Sequence, residues 1–403
     1  MSKIRIKNFG PIKQGLKSNN GWIEIKKVAV FIGDQGSGKS TVAKLISTLV
    51  WIEKALVRGD FNDLSGPEFK DHCAYQNIGS YFKPDTEIDY QGDAFFITYL
   101  NKEVSIQKNI ANGYAFPKIM YVPAERNLVS AVLNVDDLEG LPSTLYTFSK
   151  EYINALNDLT SGQTTIPLKD FKVEYDRISK IVYLKSDEFN IKLSEASSGF
   201  QSFTPLFLVT GFLSNILNRK SDKSKKNSSI EQDQKLRKRI QEIMHNPNLT
   251  DEVKEGMLEV LSAEIKYSAF INIVEEPEQN LFPTSQREVL NNLLAFNNQD
   301  VNNKLVITTH SPYLINYLTL AVKADSLIDN TNSLQSRKKL NKIVPIESSL
   351  NGKDLVVYEF TGEGEIKKLK DHKGMPSEDN ELNYELGETN EYFAQLLEIQ
   401  QGL

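Results

Sequence analysis

A single cysteine, Cys73, among 403 residues rules out an internal disulfide and fits a reducing cytoplasm. No uninterrupted apolar run reaches membrane-spanning length. The opening Met1-Ser2-Lys3-Ile4-Arg5-Ile6-Lys7 alternates apolar and basic residues as a strand does, and lacks the apolar core of a secretory signal. There is no fixed-period repeat. The net charge of −6 gives no global argument for nucleic-acid binding. What remains is ordinary globular composition, 40% hydrophobic and 25% charged, in a chain long enough for a large core in two lobes.

Against this plain background one segment narrows the chemistry. Residues 33–40 read Gly33-Asp34-Gln35-Gly36-Ser37-Gly38-Lys39-Ser40, a complete G-x-x-x-x-G-K-S phosphate loop. The apolar run Val28-Ala29-Val30-Phe31-Ile32 precedes it, and Ser40 to Val50 follows with apolar residues at helical spacing. The glycines Gly33, Gly36 and Gly38 let backbone N–H groups, including those of Ser37 and Thr41, turn toward a phosphate at a helix N-terminus. Lys39 reaches the β- and γ-phosphates, and the Ser40 hydroxyl is a Mg²⁺ ligand. ATP and Mg²⁺ are therefore the expected cofactors.

Two further strands carry complementary groups. Ser268 to Val274 is mostly apolar and runs into Glu275-Glu276-Pro277-Glu278, the Walker B arrangement of a buried strand delivering adjacent carboxylates. Glu275 is expected at the metal and Glu276 at the attacking water. Lys304 to Thr309 is apolar and β-branched and ends in His310-Ser311-Pro312. Ligands gather at the carboxyl ends of strands in open α/β sheets, so His310 is expected to meet the γ-phosphate or position water. Between the loop and these strands lies Ser197-Ser198-Gly199-Phe200-Gln201-Ser202, leading into an apolar helix.

Phosphate loop, Ser-Gly-x-Gln before a helix, Walker B and strand-end histidine, in that order, is the layout of ABC-type ATPases, which the chain resembles. The resemblance implies an α/β P-loop fold, a mixed sheet flanked by helices with a β-subdomain and a helical lobe. It also implies that Ser198, Gly199 and Gln201 of one subunit cover the ATP of another. Phe200 stands where that family has a second glycine, and Glu275 where it usually has Asp. Gln76, Gln91 and Gln107 are the candidates for the glutamine with which ABC proteins sense Mg²⁺, and the sequence does not choose among them.

Ile6-Lys7-Asn8-Phe9-Gly10-Pro11-Ile12 resembles the first strand of RecF-, SMC- and OLD-type ATPases, and Pro123-Ala124-Glu125-Arg126 an element of small stand-alone members of that clan. The chain is most similar to the ATPase subunits (AriA) of PARIS anti-phage systems. That similarity implies a sensor scaffold that holds a separate Toprim nuclease and releases it when a phage-encoded anti-restriction protein, such as an acidic DNA mimic, arrives. About ninety residues follow His310 without a Toprim-like acidic set, so the nuclease is expected to be absent or on another polypeptide. The alternative is a DNA-repair ATPase of RecF/SMC type that binds DNA when ATP is bound. A membrane partner is not expected.

The expected organisation is a first part of the ATPase core at 1–50, a β-subdomain and helical lobe at 51–190, and the signature and its helix at 191–217. A basic insertion at 218–263, the Walker B and histidine part of the core at 264–345 and an acidic segment at 346–403 complete it. Residues 219–239 hold nine Lys/Arg against three acids, either a solvated surface or a dock for nucleic acid or an acidic protein. Residues 374–403 hold seven acids and no Lys or Arg. The stripe Phe393, Leu396 and Leu397 there is expected to dock on the chain's own body, with a partner helix as the alternative.

Overall fold

The apolar runs pair as strands in the computed structural model of the chain, which describes residues 2–109, 114–132, 140–159, 162–168, 171–223, 267–328 and 333–401. Beyond the end of its signature helix, the basic insertion lies outside these residues.

In chain order the first half comprises β1 (Lys3–Phe9), β2 (Gly15–Leu16), β3 (Ile23–Glu24), β4 (Val28–Gly33), α1 (Lys39–Arg58), α2 (Gly66–Tyr75), β5 (Phe82–Gln91), β6 (Phe95–Leu100), β7 (Glu103–Lys108), β8 (Pro117–Val122), α3 (Leu128–Ala131) and α4 (Ser143–Asp158). Next come β9 (Gln163–Thr165), β10 (Lys172–Asp176), β11 (Ile181–Lys185), β12 (Asn190–Lys192) and α5 (Ser198–Lys223). The chain continues with β13 (Ala269–Glu275), α6 (Pro283–Asn297), β14 (Lys304–Thr308), α7 (Pro312–Ile328), α8 (Leu334–Ile343), β15 (Leu355–Phe360), β16 (Glu365–Lys368) and α9 (Glu381–Gln401).

These strands build a mixed seven-stranded sheet in the order β2-β16-β15-β4-β14-β13-β8, with β15, β4, β14, β13 and β8 parallel. The five strands are buried on both faces, which is why they read as continuous apolar runs. Alternate residues serve separate cores: Val28, Val30 and Ile32 of β4 point to one, Ala29 and Phe31 to the other. The first core holds α4, α5, α6 and α7; the second holds α1 and an antiparallel sheet in the order β3-β1-β5-β6-β7. A third sheet, β12-β11-β10-β9, adds Val173 and Leu184 to the first core. The fold is thus α/β, a mixed sheet between helices with a β-subdomain beside it.

The sheet does not stop where the acidic segment was expected to begin. β15, inside 346–403, pairs in parallel with the phosphate-loop strand, Val356 beside Ala29 and Phe360 beside Gly33. The acidic count of that segment comes from residues after β16 and hid the apolar strand Leu355-Val356-Val357. The expected docking of the C-terminal stripe is also corrected. In α9, Phe393 and Leu396 are each 62% exposed and Leu397 41%, and only the start of the helix, at Leu382, packs on the body.

One helical segment among the described residues, Ser198–Leu217, is apolar and long enough to cross a membrane by composition. Phe203, Leu206, Val209 and Leu213 are buried in the protein's own core, so its apolar character is that of a central core helix.

Candidate nucleotide site

Register aligns the site. Phe31 of β4 pairs with Thr308 of β14, and Thr308 with Glu275 of β13, so the parallel strands end level with one another. Whatever follows each strand is delivered to one edge, the place where open α/β sheets bind ligands.

After β4 the loop turns through Gly33, Gly36 and Gly38 at φ of 126°, 76° and 105°, conformations that side-chain-bearing residues seldom adopt. Ser37 is buried and its hydroxyl donates to the Asp34 carbonyl at 2.7 Å. Gly38 is the N-cap of α1 and the Val42 N–H donates to its carbonyl. Ser40 is half-buried and Thr41 buried in the first turn. Lys39 folds back into the loop and donates to the carbonyls of Gly33 at 2.7 Å and Asp34 at 2.6 Å. Burial lowers its pKa to about 8, against the pull of Glu276 and Asp34.

Glu275 is the last residue of β13 and is buried. Its Oε2 accepts from the Ala124 N–H at 3.2 Å, and its Oε1 has no hydrogen-bond partner. A buried carboxylate oxygen without a partner is costly, and a hydrated Mg²⁺ would satisfy it. Among the described residues no cluster of three or more His, Cys, Asp or Glu could cage a metal unaided. Glu275 and Ser40 fit the role.

Glu276 turns out of the strand with φ of 42°, and its Oε1 lies 3.7 Å from Nε2 of His310. Burial and the Lys39 ammonium lower the His310 pKa, with Glu276 opposing them. Glu278 holds the histidine segment: its Oε1 accepts from Thr309 Oγ1 at 2.7 Å and from the His310 N–H at 2.8 Å. Ser311 Oγ bonds Gln286 Oε1 at 2.6 Å. Sequence reasoning did not single out Glu278 or Gln286. The Glu-x-x-x spacing after β13 placed Glu278 within view, but only the fold brings it under residues 309 and 310.

Ser198 is exposed at the start of α5, whereas Gly199 is buried. A Cβ on Gly199 would lie 2.8 Å from the Asn280 carbonyl oxygen, so the glycine permits α5 to touch the turn that follows Glu276. Gln201 bends back, its Nε2 donating to the carbonyls of Ser194 at 2.9 Å and Ala196 at 3.0 Å. It secures the loop before the helix. Phe200 packs edge-on against Phe171, ring centres 5.0 Å apart, and ties α5 to the neighbouring small sheet. That contact accounts for a large residue where the resembled family has glycine.

The three glutamine candidates lie elsewhere. Gln76 donates to Ser47 Oγ behind α1, Gln91 pairs with Lys3 and Phe96 in the β-subdomain, and Gln107 is exposed on β7. The strand that ends beside Walker B is β8, and it delivers Pro123-Ala124-Glu125-Arg126. Arg126 is fully buried. Its Nη1 donates to the Glu275 carbonyl and its Nη2 to the Glu276 carbonyl, both at 2.6 Å, and its Nε to the Ser202 carbonyl of α5 at 3.3 Å. Burial lowers its pKa to about 10, so it stays charged at neutral pH.

No protein-family model matches the sequence, and no curated protein is similar to it. Among solved structures, the SMC head domain from Thermotoga maritima is similar at 11% identity and a TM-score of 0.37, covering 92% of this chain and 98% of that one. The Smc head domain with an extended coiled coil from Pyrococcus furiosus gives 9% identity and 0.35, with coverage of 92% and 96%. The dimeric, post-hydrolysis ATP-binding cassette MJ0796 bound to ADP and Pi gives 12% and 0.26, with coverage of 92% and 100%. Likenesses this faint leave the site's own geometry as the basis for its reading.

Proposed function

We propose that this chain is a Mg²⁺-dependent ATPase of ABC type whose nucleotide is shared between two copies facing head to tail. The observation that supports this best is convergence. Lys39, Glu276 and His310, spread over more than half the chain, lie within one another's electrostatic reach, and Glu275 closes the strand just before Glu276. Such convergence is what phosphoryl transfer needs, since its catalysis is mostly positioning and charge stabilisation.

In this reading Lys39 leaves its loop carbonyls for the β- and γ-phosphate oxygens. Glu276 orients a water and accepts its proton as the water oxygen bonds to the γ-phosphorus and the bridging oxygen leaves with ADP. His310 donates a hydrogen bond to the γ-phosphate. A magnesium ion held by Ser40 and Glu275 would supply neutralisation of the phosphate charge. Exposed Ser198 and the N-terminus of α5 would meet the γ-phosphate of the facing copy.

The wider role we propose is that of a nucleotide-gated sensor scaffold in anti-phage defence, holding a separate Toprim nuclease. The support is the sequence resemblance, in particular Pro123-Ala124-Glu125-Arg126, whose arginine has a structural task here. The test is ATP turnover and oligomer mass of the purified chain. Lys39→Ala is expected to abolish nucleotide binding, and Glu276→Gln to accumulate an ATP-bound dimer. A mixture of Lys39→Ala and Ser198→Arg chains should recover one working site. Failure of that mixture, with each parent folded, overturns the shared site. Co-purification with a co-expressed Toprim nuclease tests the scaffold role. Hydrolysis stimulated by DNA, with no such complex, would favour the DNA-repair alternative.

A further inference from the structure

Behind the phosphate-loop helix, away from the nucleotide edge, lies a cavity of about 500 Å³ between α1, α2, β8 and α4. This is the size of a small-molecule site. Its mouth carries Trp51 and Tyr75, 39% and 45% exposed. Deeper in are Lys54 and Gln76, 8% and 4% exposed.

The inner wall is polar and incompletely paired. Gln76 Oε1 has no hydrogen-bond partner. Lys54 extends over the ring of Tyr267 at 4.7 Å, and among the described residues no carboxylate pairs with it within salt-bridge distance. Of the carboxylates nearby, Asp60 pairs with Arg58 while also pulling on the Lys54 ammonium, Glu151 pairs with Lys118 at 2.6 Å, and Asp71 lines the cavity on α2. An ammonium nine-tenths buried without an anion is unfavourable. Burial and the neighbouring Arg58 and Lys118 lower its pKa to about 7. An anion in the cavity would complete it.

We propose that this cavity is a binding site for a small organic anion, a planar aromatic body bearing one acidic group, with the acid on Lys54 and the ring among Trp51, Tyr75 and Tyr267. The side chains fit both halves of such a molecule. Aromatic faces line the mouth, and the Thr147 hydroxyl, 2.5 Å from the Tyr75 hydroxyl, offers a polar contact at the rim. The site stands independently of the ATPase reading. It is nonetheless mechanically close to it, because α1 carries Lys39 at one end and Ser47, Thr48, Trp51 and Lys54 on the cavity wall. Tyr121 lines the cavity too, and the Glu275 carboxylate contributes to raising its phenol.

The test uses the full chain and 1-anilinonaphthalene-8-sulfonate, an aromatic ring system with one anionic group, followed by its fluorescence and by energy transfer from Trp51. One saturable site per chain is expected, retained in Lys39→Ala. Lys54→Met should weaken it at least about tenfold, while Lys54→Arg should keep it within about threefold. Thr147→Trp, which fills the cavity, should abolish it. If Lys54→Met does not fold, Thr147→Trp carries the test, with a cooperative melt as the check on folding. Displacement by benzoate or by phenyl phosphate supports the proposal and tells a carboxylate from a phosphate head group; displacement by neither overturns it. Equal binding of neutral N-phenyl-1-naphthylamine, or of the sulfonate to Lys54→Met, would show an apolar cleft without an anion site and also overturn it.

Discussion

The guanidinium of Arg126 donates to the main-chain carbonyl of Glu276 at 2.6 Å, and Glu276 is a non-glycine residue held at φ of 42°. A left-handed backbone at such a residue costs on the order of 1–3 kcal/mol and persists only where its surroundings fix it. Arg126 is a large part of those surroundings. It binds the carbonyls at the end of β13 and one in α5, so the turn bearing the carboxylates and the helix bearing Ser198 are tied to a single buried side chain.

Arg126→Lys keeps the charge but loses the planar fork. Leaving these buried carbonyls without donors should cost about 3 kcal/mol, read as a lower melting temperature. Displacing Glu276 by as little as about 1 Å should lower kcat about a hundredfold, with nucleotide affinity changed far less. Unchanged kcat in a folded Arg126→Lys protein would remove Arg126 from any positioning role.

The Lys39 pKa of about 8 in the ligand-free chain makes nucleotide binding pH-dependent. Bound phosphate favours the ammonium, so the bound pKa is higher. Affinity should be flat below about pH 8 and fall as pH rises through it, by up to about tenfold per unit, with a proton taken up on binding. Calorimetry in buffers of different ionisation enthalpy measures that uptake. Lys39→Arg, charged throughout, should flatten the dependence, and a wild-type affinity constant to pH 10 would contradict the assignment.

Gly199→Ala places a methyl 2.8 Å from the Asn280 carbonyl oxygen. Backbone has to move, at a cost of about 1–3 kcal/mol. The variant should melt lower and lose ATP-dependent dimer, because α5 is pushed off the turn that follows Glu276. A melt equal to wild type would mean that the contact is looser than the geometry indicates.

Phe200→Gly restores the residue expected from family likeness, yet it should destabilise the chain by about 2 kcal/mol through lost packing on Phe171. Chemical denaturation measures this. Stabilisation instead would refute the tie between α5 and the small sheet.

Removing residues 390–401 should leave the melting temperature of the isolated chain within about 2 °C, since Phe393, Leu396 and Ile399 are already 62%, 62% and 72% exposed. A large drop would show that the helix covers something in solution.

The local arrangement of the candidate groups was legible in the residue order. A glycine turn between an apolar strand and a helix, carboxylates closing a second strand and a histidine closing a third are short-range patterns, and short-range sterics and hydrogen bonding fix them. Lys39, Glu276 and His310 sit as those patterns imply because strand ends, once aligned, leave their next residues nowhere else to go. Other features depend on which strands become neighbours. β15 joins the sheet despite its acidic surroundings because Val356 and Val357 are buried against β4, a gain in apolar burial that local charge counts cannot register. Arg126 stood out in the sequence only as part of the Pro123-Ala124-Glu125-Arg126 resemblance, and its task emerged when folding brought two carbonyls from β13 and its turn, and one from α5, within its reach. The three glutamines were equivalent on paper, and the sheet order put β8, which has none at its end, beside the carboxylates. Residue order determined which candidate groups stand at the strand ends; long-range packing, which weighs contacts between segments far apart in the chain, decided what holds those groups in place.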